Sequence, residues 1–154
     1  MMIEIFQVAS SLALGLLMGS LLTEAMILVP YWRKMSSNEF LQLHHTLGPK
    51  LMQYFAPLTI LGTVLPVAAA VVPLLCGQAN LSTPTLSWVP AVLVVMMLIL
   101  YFAYFKGANE SFADGSVGVD GVAEELNKWA SWHWVRVVLG IIAFFTSLLV
   151  LSGY

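Results

Sequence analysis

Charge is what this sequence most lacks. Asp, Glu, Lys and Arg together make up 9% of 154 residues, where a soluble domain carries about 25%. From Leu51 through Phe105 there is no Asp, Glu, Lys, Arg or His. So little charge excludes a disordered chain, which depends on solvated charge, and the polar surface of an ordinary soluble enzyme. Cysteine is almost absent too. Cys76 stands alone, so no internal disulfide forms and a secreted disulfide scaffold is excluded. Basic residues number 6 against 8 acidic, a net charge of −2, which leaves no basic footprint for nucleic acid. What is present in quantity is hydrophobic, 60% of the chain. The solvent this implies for most of it is lipid.

A helix that spans the bilayer needs about 20 apolar residues. The charge-free stretch accommodates two spans, about 51–76 and 86–106, joined by the turn-forming run Gly77–Pro84. A first span covers about 6–31 and contains Glu24; a fourth covers about 133–151 and contains Arg136. Backbone groups in lipid must pair within their own segment, and alternating strands are missing. The expectation is therefore all-α, a four-transmembrane-helix antiparallel bundle, with residues 1–154 forming a single integral membrane domain. The first span reads as retained rather than cleaved, because its leading residues carry Glu4 and no basic residue, and Arg33-Lys34 follows it.

The six basic residues give an orientation. Arg33, Lys34 and Lys50 flank the first connection, Lys106 and Lys128 flank the third, and Arg136 lies just inside the fourth span. The positive-inside rule places those two connections in the cytoplasm and both termini on the non-cytoplasmic side. For a bacterial source the membrane would be the inner one. The outer connection contains a sequon, Asn80-Leu81-Ser82, of a kind common by chance. In the first cytoplasmic connection, Ser36-Ser37-Asn38-Glu39 is a capping box. It predicts an amphipathic helix over about 37–47, broken or bent at Gly48-Pro49 before the second span. The second cytoplasmic connection, about 111–121, is Gly-rich and is expected to be mobile. Asp120, Glu124 and Glu125 suit the N-terminus of the fourth helix, which continues through Trp129, Trp132 and Trp134 as an interfacial aromatic belt.

The informative polar residues are those in or beside the membrane. Glu24 is an intramembrane carboxyl, a functional candidate on that ground, with Ser20 one turn away on its face. Trp129, His133 and Arg136 share a face of the fourth helix. Asn109 and Glu110 end the third span, and His44 and His45 precede the second. Antiparallel helices bring these groups to one level, where bundles build ligand sites from facing side chains. Structural alternatives stand beside this reading. Glu24 and Arg136 can neutralise one another as an ion pair, and Arg136 can snorkel to the interface. His44 or His45 can be exposed on the amphipathic helix, His133 can be an interfacial hydrogen-bonding residue, and Asn109 can cap the third helix.

Gly15-Leu16-Leu17-Met18-Gly19 is a GxxxG sequence that permits close helix approach, within the bundle or in a homo-oligomer. Glu24 lies about 140° round the helix from Gly19, on a different face. Pro57 and Pro66 predict bends in the second span, and the methionines read as packing.

The segment Trp129-Ala130-Ser131-Trp132-His133-Trp134-Val135-Arg136, followed by Gly140 and Ala143-Phe144, resembles the last-span signature of the anthrone oxygenase-like family of small four-helix membrane proteins. His44 before the second span, Pro57 within it and Asn109 at the end of the third fit the same pattern. The run Phe105-Lys106-Gly107-Ala108-Asn109 departs from the family's usual Asn-x-Pro-x-Asn-like segment. The resemblance implies oxygen chemistry on an aromatic, anthrone-type substrate. It assigns catalysis to His133 as base, Arg136 as stabiliser of the resulting anion, and His44. Glu24, Asn109 and Trp129 would bind and orient the substrate. The cofactor stays open in this reading: none, or else haem or iron or copper.

Two readings from other classes stay open. In one, the chain is a redox protein in which His44 and His133 hold haem, or bind iron or copper together with Glu24 or Glu110. In the other it is a non-enzymatic membrane subunit or small-molecule carrier.

Overall fold

With so little charge to interrupt them, the apolar runs close their backbone hydrogen bonds within themselves and become helices. The computed structural model describes residues 2–77 and 85–153. Four long helices dominate: α1 Met2–Trp32, α2 Ser37–Leu75, α3 Trp88–Asp114 and α4 Val122–Leu151. A short 3-10 turn, Thr85–Ser87, leads into α3. No strand occurs among the described residues. Each long helix has the length and composition to cross a membrane, so a lipid bilayer is the environment of an all-α four-helix bundle. The expected turn at Gly77–Pro84 and its sequon lie, beyond Gly77, outside the described residues.

Contacts fix the topology. Ser11 meets Ser147 near one end of the α1–α4 pair, and His133 meets Leu21 farther along it. Ser20 meets Tyr54 while Trp32 meets His44, so α1 and α2 are antiparallel. Met52 pairs with Tyr101 and Phe40 with Phe112 across α2 and α3. Gly140 approaches Met97, and Asn109 pairs with Trp129, across α3 and α4. Each helix thus packs antiparallel on its sequence neighbours, and α4 closes the ring against α1. The bundle has an aromatic core at one end, from Trp32, Phe40, Phe105, Phe112 and Trp129. Aliphatic layers follow, first Leu17, Met18, Leu21 and Val137, then Leu14, Val94 and Ala143.

The helices are longer than the predicted spans, which corrects three expectations. The helix expected over 37–47 and the second span are one helix, α2, uninterrupted at Gly48-Pro49. Ser36 and Glu39 form the predicted capping box at its start. The helix persists through Pro49, Pro57, Pro66 and Pro73, because each proline removes one donor whereas leaving the helix would expose many backbone groups to lipid. Next, α3 does not end near Lys106 but continues to Asp114. Ala108 and Phe112 are buried in the aromatic core, so tertiary packing holds the extra turns. The first four residues of the loop expected over 111–121 are therefore helix. The remainder begins at Gly115, whose φ of 75° caps α3, and folds as successive turns in which Ser116 N–H donates to Asp114 Oδ1 at 2.8 Å. Finally, the aromatic belt divides: Trp129 is buried, while Trp132 and Trp134 are exposed.

The GxxxG residues divide as well. A methyl group on Gly15 would lie 3.2 Å from the Phe144 ring of α4, whereas Gly19 faces open space. The tighter approaches use glycines of other helices, Gly62 against Leu17 and Gly140 against Met18.

Two helices carry a widened turn at the same level. In α1, residues Glu24–Leu28 are π-helical and Val29 N–H donates to Glu24 O, five residues back. Pro30 accounts for it: it offers Met26 no N–H, and its ring crowds that carbonyl. In α3, Tyr101–Phe105 are π-helical and Lys106 N–H donates to Tyr101 O. No proline is nearby, and the local sequence does not explain this second turn. Such turns recur at functional sites.

Candidate functional site

A cavity of about 560 Å³ opens between α2 and α3, at the end of the bundle that carries the aromatic core. That volume is in the range of small-molecule sites. Its wall is mostly apolar: Leu51, Met52, Phe55, Ala56, Ile60, Leu98 and Phe102. Into it project Glu24 from α1, His44 from α2, Asn109 from α3, and Trp129 and Arg136 from α4. Five of the residues singled out by sequence therefore meet in one space. Glu110 and Lys106 also line it and are exposed.

Arg136 is the anomaly of this wall. Its side chain is 8% exposed and its guanidinium sits 4.6 Å from the Phe105 ring centre, a cation–π contact. Its Nε is buried without a hydrogen-bond partner. Among the described residues no carboxylate lies within the 4.0 Å of an ion pair, which corrects the expectation that Glu24 would neutralise it directly. Nor does it snorkel out to the interface. Glu24 is buried on the same cavity wall, and its Oε2 is 3.7 Å from His133 Nε2. Two opposite charges thus share the cavity without touching, and each sits in the other's field.

His44 is held by aromatics. Its ring lies 4.0 Å from that of Phe40, 4.8 Å from that of Trp32 and 5.9 Å from that of Phe112, centre to centre. Its Nδ1 donates to Phe40 O at 3.1 Å. A carbonyl only accepts, so the proton of the neutral ring is on Nδ1, and the lone pair is on Nε2. Among the described residues Nε2 has no partner. His45, one residue on, is exposed; His44 is the inward member of the pair.

His133 occupies a different place from the one its sequence setting suggests. It is fully buried and is not part of the cavity wall. Its Nε2 donates to Leu21 O at 3.0 Å, and one face stacks on Trp129, 4.8 Å away and 13° from parallel. Trp129 in turn donates from Nε1 to Asn109 Oδ1 at 2.9 Å. Asn109 therefore ties α3 to α4 and does not cap a helix end. His133 stands behind the wall as the support of Trp129 and the link to α1. Ser20, expected on the face of Glu24, is bonded instead to Tyr54.

The residues do not fit the metal or haem reading. Among the described residues no three of His, Cys, Asp and Glu gather closely enough to hold a metal ion. His44 and His133 do not face a common space, since His133 lies outside the wall with Nε2 already engaged.

Sequence reasoning missed the aromatic cage of His44 and the part played by Tyr101, which lines the cavity at the start of the second π turn. Pro30 was the available signal for the first π turn. The cage had none, because Trp32, Phe40 and Phe112 come from three helices. No family model, curated protein or solved structure matches the chain.

Proposed function

We propose that the chain is a membrane-embedded, oxygenase-like enzyme that acts on a small, flat, hydrophobic aromatic of the anthrone type, bound at the polar end of the cavity between α2 and α3. The observation that carries this reading is Arg136, a buried cation on the wall of an apolar cavity whose Nε has no hydrogen-bond partner and which, among the described residues, touches no carboxylate. Such a group is stabilised by an oxygen anion that arrives with, or develops on, a bound molecule.

Oxidation of an anthrone creates such an anion. Removal of one proton from the ring methylene leaves a phenolate-like carbanion, whose negative oxygen would face Arg136. The carbanion gives electrons to dioxygen and forms a carbon-bound hydroperoxide on reprotonation. Loss of water across the O–O bond leaves the new carbonyl, so anthrone and dioxygen yield anthraquinone and water. His44 is the base this geometry favours, because its Nε2 lone pair is unengaged and the residue lines the cavity. His133 takes a positioning role through Trp129. Glu24 would accept and relay the proton, and Asn109 and Trp129 would frame the aromatic rings.

The test is oxygen uptake with anthrone as substrate, in proteoliposomes, corrected for autoxidation in empty liposomes. His44→Gln and Arg136→Met are each expected to lower the enzymatic rate at least about 100-fold, the scale of a lost base or anion stabiliser. Native-like folding with an unchanged rate in both variants would reject the proposal.

A further inference from the structure

The walls of the cavity are not equally secured. The α1–α4 seam is tied by Ser11 to Ser147 and by His133 to Leu21. The α1–α2 seam is tied by Ser20 to Tyr54, and the α3–α4 seam by Tyr104 to Glu125 and Trp129 to Asn109. Between α2 and α3 the one side-chain hydrogen bond among the described residues is weak: the Tyr101 hydroxyl to Met52 Sδ, at 3.8 Å. Along this seam Met52, Ile60 and Phe102 are 46%, 60% and 64% exposed, and the same residues line the cavity. These lining residues are all uncharged. The π turn of α3 begins at Tyr101, on the seam itself.

We infer that the α2–α3 seam is a lateral portal, through which a flat apolar molecule bearing an acidic oxygen enters the cavity from the bilayer, with Tyr101 and Met52 as its latch. The inference rests on the proposed reading of the cavity as a ligand site and adds the route and the orientation. The cavity wall runs along α3 from Ala113 to Leu98, about 22 Å of helix. Lys106 and Glu110 stand at one end, Arg136 and Glu24 between, and Leu98 and Ile60 at the other. A molecule dissolved among acyl chains would enter with its apolar end toward Leu98 and its oxygen toward Arg136. The alternative mouth, toward Lys106 and Glu110, would take it through charge and water.

The experiment uses the full chain in liposomes with Met52→Cys and Tyr101→Cys on a Cys76→Ser background. Trp88, Trp132 and Trp134 are replaced by Phe, so that Trp32 and Trp129 on the cavity wall report. A thiol-cleavable bis-methanethiosulfonate cross-linker closes the seam. The probe is 1,8-dihydroxyanthraquinone dissolved in the bilayer, and stopped-flow mixing follows its saturable quenching of tryptophan emission. Cross-linking is expected to slow association at least about tenfold, a change large for variants of one site, and thiol should restore it. Equal rates before and after cleavage overturn the portal and leave the ligand site standing. Absence of saturable quenching in the open protein overturns both. Should the cysteine pair fail to fold, Met52→Ala is expected to speed entry several-fold, and an unchanged rate rejects the portal.

Discussion

The Nε2 of His133, on the last helix, donates to the carbonyl oxygen of Leu21, on the first, at 3.0 Å. The bond joins the two ends of the chain and fixes the ring on which Trp129 stacks. Replacing His133 by Ala removes this bond and leaves a void beneath Trp129. An interhelical hydrogen bond in a membrane protein contributes about 1 kcal/mol, and a cavity adds to the loss. The unfolding midpoint in mild detergent should fall, and Trp129 emission should shift as its packing loosens. A midpoint equal to that of the native chain would show that the link contributes nothing.

Glu24 and Arg136 face one cavity as opposite buried charges. Arg136→Met alone leaves the carboxylate uncompensated, and Glu24→Gln alone leaves the guanidinium so. Each single variant should be destabilised, and the double variant less than the sum of the two, with a coupling of about 0.5–3 kcal/mol. Additive losses in a double-mutant cycle would mean that the two charges do not interact across the cavity.

The two glycines of the GxxxG sequence should separate under substitution. A Cβ on Gly19 meets nothing, while one on Gly15 presses on Phe144. Gly19→Ala is expected to be neutral or to stabilise by up to about 1 kcal/mol through helix propensity, and Gly15→Ala to destabilise. Thermal unfolding compares them. If Gly19→Ala instead changes the oligomeric state seen by light scattering, the open face of Gly19 belongs to an interface between copies of this chain.

The orientation read from the basic residues makes a labelling prediction. Cys76 is exposed, at the end of α2 opposite Arg33 and Lys34. A membrane-impermeant maleimide should label it in intact cells. On a Cys76→Ser background, Ser116→Cys should react only after permeabilisation. The reverse pattern would invert the bundle.

The helical class and the number of spans were legible in the sequence because both follow from a one-dimensional quantity, the length of chain free of charge. The capping box at Ser36 and Glu39 was legible because its partners are three residues apart. Glu24, His44, Asn109, Trp129 and Arg136 could be nominated because a polar group near lipid is costly wherever it lies. What each does there was not legible. The extension of α3 to Asp114 depends on Phe112 packing against Phe40, and the continuity of α2 through Pro49 on the lack of any better partner for its backbone in lipid.

Only the tertiary structure decided which residues face the cavity and which stand behind it. The sequence put His133 beside Arg136 and made both candidates for the same chemistry. Three residues separate them on one helix face, yet one turn of helix is enough to place His133 against the Leu21 carbonyl and Arg136 on the open wall. That difference depends on how α4 is rotated against α1. The rotation is set by close contacts such as Gly140 with Met18 and Ser11 with Ser147, between residues more than a hundred positions apart. Hydrophobic periodicity assigns a residue to a side of a helix. Packing between helices decides what that side meets.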